Sequence, residues 1–122
     1  MATITILGQT PSQKNSKQIV HNRYTGKTML ISSNIVQAWK KIAAYQLNQY
    51  KDRFDSKIQI DYLFYVKDNR RRDTDNMIAS VNDSLMASGI IKDDCWQLLR
   101  IGSADAQIDK ENPRCEIIIT KL

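Results

Sequence analysis

KIQIDYLFYV, residues 57–66, runs directly into KDNRRRDTDNMIASVNDSLMASG, residues 67–89, and this stretch decides the fold. The first segment alternates. Ile58, Ile60, Tyr62, Phe64 and Val66 fall on one side of an extended chain, so a strand with one buried face is expected. The period then changes. Asp73 to Ala87 reads as a helical segment, or a turn leading into one. Met77, Ile78, Val81 and Leu85 give it an apolar stripe, and Gly89 supplies the stop. Between the two periods lies a charged turn, Lys67 to Arg72.

Outward from this unit the chain is shorter-phrased. Ala2 to Leu7 alternates Thr and Ile and reads as a half-buried strand. Gly8 to Ser16 is a polar loop with Pro11 and Lys14. Gln18 to Val20 and Thr28 to Ile31 flank Tyr24, Thr25 and Gly26, which suits a short hairpin. Ser32 or Ser33 can cap a helix whose buried stripe is Ile35, Val36, Trp39, Ile42, Ala43 and Leu47. Its solvated face carries Lys40, Lys41, Gln46 and Lys51. Trp96 to Ile108 reads as short apolar pieces broken by Gly102, and Arg114 to Lys121 as a final strand. The order β, β-hairpin, α, β, α, β, β predicts one α+β domain over residues 1–122. It is expected to be a mixed β-sheet with two main helices packed on one face.

Composition narrows the class. A chain of 122 residues, 25% charged and 42% hydrophobic, has the make-up of one globular domain. The net charge of +5 and a pI near 9.3 favour a polyanionic partner, although charge alone suits a basic protein without one equally well. Two cysteines exclude a disulfide framework, and their spacing fits no zinc motif. Cys115 reads as a strand residue and Cys95 as an ordinary packed thiol. The first residues lack the pattern of a signal peptide, and no apolar run approaches a membrane span. An intracellular, cytoplasmic protein with no membrane partner is expected.

The charged turn carries the chemistry. Arg70, Arg71 and Arg72 stand against Asp73 and Asp75, and Asp93 and Asp94 come after the helical segment. Converging carboxylates repel unless a cation lies between them. Mg²⁺ suits that place, since it binds through one or two carboxylates plus water and substrate phosphates. Arginine suits bidentate contact to phosphate. Each feature has a plainer reading. Asp-Thr-Asp-Asn is a good capping sequence, Asp93 and Asp94 suit a turn, and an arginine run is usually a solvated loop. Together they point to metal-assisted attack on a nucleic-acid backbone. His21, the only histidine, has no Ser-His-Asp setting, and Gly8 opens no phosphate-binding glycine loop.

Arg72-Asp73-Thr74-Asp75-Asn76, then Asn82-Asp83-Ser84-Leu85, then Gly89 and Asp93-Asp94, resembles the RusA family of Holliday-junction resolvases, small endonucleases often encoded by phages or prophages. The early Pro11-Ser12 loop with Asn15 extends the likeness over most of the chain. The resemblance implies a homodimer that binds branched, four-way DNA in a bacterial cell. It implies paired cuts in opposing strands with Mg²⁺, or Mn²⁺ in its place. It makes Asp73, Asp75 and Asp94 the metal-binding carboxylates, with Asn76 and Asp93 beside them. Arg70, Arg71, Arg72, Lys14, Lys17 and Asn76 form the expected DNA-binding set. One position departs from the family pattern. The catalytic lysine often found four residues after the second aspartate is here Ala79. Lys92, beside Asp93, and Lys14 are the expected substitutes, with Lys92 first. The alternative is a weak or inactive junction-binding protein on the same scaffold.

Overall fold

A computed structural model describes residues 1–12, 17–21, 28–32 and 34–122, with side chains described for 1–12 and 34–122. The elements are β1 (Ala2–Leu7), β2 (Lys17–His21), β3 (Thr28–Ser32), α1 (Asn34–Leu47), β4 (Ile58–Val66), α2 (Thr74–Ala87), β5 (Leu99–Ile108) and β6 (Arg114–Lys121). The main sheet has four strands in the order β1-β6-β4-β5, while β2 and β3 pair antiparallel as a separate hairpin. β6 runs antiparallel to both β1 and β4, and β4 runs parallel to β5, so the sheet is mixed. The fold is α+β, as the element order predicts.

The alternation in β4 is fully realised. Ile58, Ile60, Tyr62, Phe64 and Val66 are buried, and the intervening residues are half-buried on the other face. β1 and β6 repeat the pattern with Ile4, Ile6, Cys115, Ile117 and Ile119. Against this face pack Trp39, Ala43 and Leu47 of α1 and Met77, Val81 and Leu85 of α2. Both helices therefore serve one core. The stripe of α1 is narrower than its sequence predicts. Val36, Trp39, Ala43 and Leu47 are buried, but Ile35 and Ile42 are exposed. These two lie roughly a quarter-turn away from the buried axis, outside the face that meets the sheet.

α2 is the crossover between the parallel strands, and it sets the distance between the two charged segments at its ends. Asp73 is its N-cap in extended geometry, φ −82° and ψ 121°, and its side chain makes no capping hydrogen bond. At the other end Gly89 takes φ 80°. The Gly89 amide donates to the Met86 carbonyl and the Ile90 amide to the Leu85 carbonyl, each at 3.0 Å. This is the paired closure that a left-handed residue after a helix permits. The chain reverses there, and Ile90 and Ile91 enter the core.

β5 corrects the expectation of broken apolar pieces. It is one strand of 10 residues, and the register against β4 shifts between Ile60 and Tyr62. Gly102 sits at this irregularity. A Cβ there would overlap the Asp61 carboxylate, whose Oδ1 accepts from the Ser103 amide at 2.7 Å. Glycine thus lets a side chain of β4 seal the irregularity rather than end the strand.

The edge strand β1 is covered by side chains of α1 and its exit. The Gln46 amide bonds both the Leu7 amide, at 2.7 Å, and the Leu7 carbonyl, at 3.1 Å, and the Tyr50 hydroxyl accepts from the Thr5 amide at 3.1 Å.

Candidate functional site

Asp75, Ile78, Ala79 and Asn82 lie on one face of α2 at steps of three and four residues. Across from them the chain between α2 and β5 brings Asp94 and Trp96, and β5 brings Leu99 and Ile101. These eight residues line one cavity of about 390 Å³. Two carboxylates separated by the length of the helix thereby open on a common space. Among the described residues neither Asp75 nor Asp94 enters an ion pair.

The polar floor is built from β4. The Tyr62 hydroxyl donates to Asn82 Oδ1 at 2.5 Å, and both residues are buried. Burial pushes the Tyr62 phenol well above its ordinary range, and the carboxylates of Asp94 and Asp61 add to this against the opposing Asn82 bond. Tyr62 therefore holds the Asn82 amide in place beneath the carboxylates. Sequence reasoning misses Asn82 and Trp96 as site residues. Asn82 carries a legible signal, since it falls two helical turns after Asp75 on the same face. Trp96 carries none, because nothing in a loop sequence tells where its ring stands.

Asp73 stands at the helix cap beside this cavity rather than in its lining. Its Oδ1 lies 3.5 Å from Arg71 Nη2, and its Oδ2 accepts from the side-chain Nδ2 of Asn76 at 3.4 Å. Asp93 turns back on its own loop, with Oδ1 accepting from the Asp94 amide at 2.8 Å. Among the described residues no three His, Cys, Asp or Glu side chains form a metal-holding group. The pair that lines one cavity, Asp75 and Asp94, is of the kind a hard dication takes. Mg²⁺ binds through one or two carboxylates and takes its other ligands from water and phosphate.

The arginine run divides. Arg72 turns inward, 11% exposed, with Nη2 2.8 Å from Asp68 Oδ1. Its Nη1 also donates to the Asp68 and Arg70 carbonyls at 3.0 and 3.1 Å. It braces the turn. The Arg70 amide and the Arg72 guanidinium hold the Asp68 carboxyl below its ordinary range. Arg70 and Arg71 are left exposed, and with Lys67 and the Thr10–Ser12 segment they line a second depression. The Ser80 hydroxyl of α2 lies within hydrogen-bond distance of two carbonyls, Asn76 at 3.1 Å in its own helix and Pro11 at 3.3 Å, so its single proton can link this early segment to the helix. Lys92 lines a different cavity, with Arg53, Phe54 and Asp55. Lys14 and Asn15 lie outside the described residues, and Lys17 is described only as the start of β2.

A small α+β domain with two carboxylates in one cavity and exposed arginines on the adjoining turn is of the class suited to act on a polyanionic backbone. The family model for endodeoxyribonuclease RusA matches residues 9–120, and the chain belongs to that family. Membership implies a junction-resolving endonuclease that binds branched DNA. No curated protein matches the chain. No helix among the described residues is long and apolar enough to cross a membrane.

Proposed function

We propose that the protein resolves four-way DNA junctions as a homodimer, by paired phosphodiester cuts that depend on Mg²⁺, with Mn²⁺ able to substitute. The observation that carries this reading is the meeting of Asp75 and Asp94 on one cavity. These two carboxylates would hold the ion, with Asp73 at the adjacent cap as the next donor. Bound there, a hard dication supplies a Lewis acid for the scissile phosphate and lowers the pKa of a water. The protein's own groups do the rest. Asn82, fixed by Tyr62, presents an amide to the cavity. Arg70 and Arg71 hold flanking phosphates and set the register of the backbone. A symmetric dimer presents two equivalent cavities to a two-fold branch.

Ala79 lines the same cavity and offers no cation to the developing phosphorane. Losing one such stabiliser costs on the order of 10²–10³ in rate. That position favours a slow enzyme, and a binding protein without cutting is the second reading. Lys57 supplies a cation beside Trp96 on the rim, with Nζ 5.7 Å from the ring centroid, whereas Lys92 faces elsewhere.

The test is incubation of the purified protein with a synthetic four-way junction and with linear duplex, each with Mg²⁺, Mn²⁺ or EDTA. Symmetric nicks in the junction alone, abolished by EDTA and by Asp75→Asn or Asp94→Asn, are expected. Junction binding with no cutting under either metal would support the second reading and overturn the first.

A further inference from the structure

We propose that Trp96 is the residue that reads the branch, by stacking its indole on a base that has lost its neighbour at the junction. The proposal deepens the junction-resolving reading and rests on it. Trp96 is 75% exposed, while the other tryptophan, Trp39, is 6% exposed in the core. An exposed indole is not required by the packing of this fold. It stands on the rim of the cavity that holds Asp75 and Asp94, and continues an apolar wall made by Ile78, Ala79, Leu99 and Ile101.

The backbone that carries the ring is held in a closed turn. The Leu98 and Leu99 amides both donate to the Cys95 carbonyl, at 3.0 and 2.9 Å, so the turn that bears Trp96 is closed before any ligand arrives. Lys57 Nζ lies over the ring at 5.7 Å from its centroid. The cation occupies one face, is suited to a neighbouring phosphate, and leaves the opposite face for a base.

Stacking on an aromatic ring is tolerant of sequence, because every base has a π-face. It is not tolerant of structure. Inside a continuous duplex both faces of each base are covered by neighbours. At a four-way branch the innermost pair of each arm can lose one neighbour, so a free face lies next to a backbone phosphate. An indole beside the carboxylates therefore selects phosphates that adjoin a branch. Trp96 acts as a specificity residue, and the cutting chemistry stays with the carboxylates.

The readout is direct, because Trp39 is shielded from solvent and Trp96 is not. With Ca²⁺ in place of Mg²⁺, acrylamide quenching of the intrinsic fluorescence should fall when a four-way junction is added, and should change little with linear duplex. With Mg²⁺, Trp96→Ala should lower junction kcat/KM about tenfold or more, mostly through KM, and Trp96→Phe should keep most of the activity. The ratio of junction to duplex binding should fall with it. Unchanged quenching with the junction, or wild-type junction preference in Trp96→Ala, would overturn the proposal. So would a Trp96→Ala protein that has changed its oligomeric mass, since the indole would then belong to a contact between copies. If Trp96→Ala does not fold, the wild-type quenching and the Trp96→Phe protein still decide. A wild-type protein that cuts nothing with either metal would instead sink the proposed function.

Discussion

The Tyr62–Asn82 bond offers a quantitative test of how the sheet supports the site. Tyr62 is 2% exposed and Asn82 5%, and the bond between them is short at 2.5 Å. The two partners differ in access. Asn82 lines the open cavity, so in Tyr62→Phe its amide can take a cavity water in place of the hydroxyl. That limits the cost to about 1 kcal/mol, the net value of one hydrogen bond. In Asn82→Leu the phenol, 2% exposed, is left under an apolar side chain that offers it no acceptor. The full desolvation penalty of a buried hydroxyl then applies, at about 2–3 kcal/mol. For a domain of this size each kcal/mol moves Tm by about 4 °C. Tyr62→Phe should therefore lose about 4 °C and Asn82→Leu about 8–12 °C in calorimetry. The double variant should be no worse than Asn82→Leu, since no unpaired polar group remains. A Tyr62→Phe protein less stable than Asn82→Leu would refute the asymmetry. It would mean that cavity water does not reach Asn82.

Three further outcomes are expected. Arg70→Ala with Arg71→Ala should flatten the slope of log K against log salt for junction binding by about 0.9 for each phosphate no longer neutralised, while Lys40→Ala with Lys41→Ala should leave it unchanged; equal effects from the two pairs would reduce the arginines to general charge. Ala79→Lys should raise the single-turnover cleavage rate, and Lys57→Ala should lower it more than Lys92→Ala does; no response from any of the three would remove lysine assistance from the mechanism. Stability should fall at high pH through Tyr62: its raised pKa means the folded state keeps the proton, so the contribution is full below the unfolded phenol value of about 10 and is lost as pH rises beyond it. Tyr62→Phe should remove that alkaline loss in denaturant titrations at pH 8 to 11, and an identical decline in the variant would assign it to other groups.

Most elements were legible in the residue order alone, β5 excepted. Alternation in β4 and the three-four spacing in α2 are local properties of which residue meets which face, and both appear where the pattern puts them. Gly89 marked the end of α2 because its positive φ is a backbone demand that shows in residue type. The proposed carboxylates were legible as residue types suited to a hard cation, and the structure places Asp75 and Asp94 on one cavity. What the sequence could not determine was company. α1 had more apolar residues than its packed face could take, so only packing decided that Ile35 and Ile42 face outward. Gly102 looked like a break, yet the Asp61 carboxylate of the neighbouring strand makes it part of one strand. Arg70, Arg71 and Arg72 are identical in the sequence, and only the fold of the turn onto Asp68 separates the inward brace from the two exposed cations. Asn82 and Trp96 share a cavity with Asp75 and Asp94, Lys57 lies over the Trp96 ring, and Lys92 lines a different cavity, all through the meeting of segments distant along the chain. Periodicity fixes which side of its own element a residue occupies. Which other element lies opposite is fixed by the burial of the whole core, a property that no single segment carries.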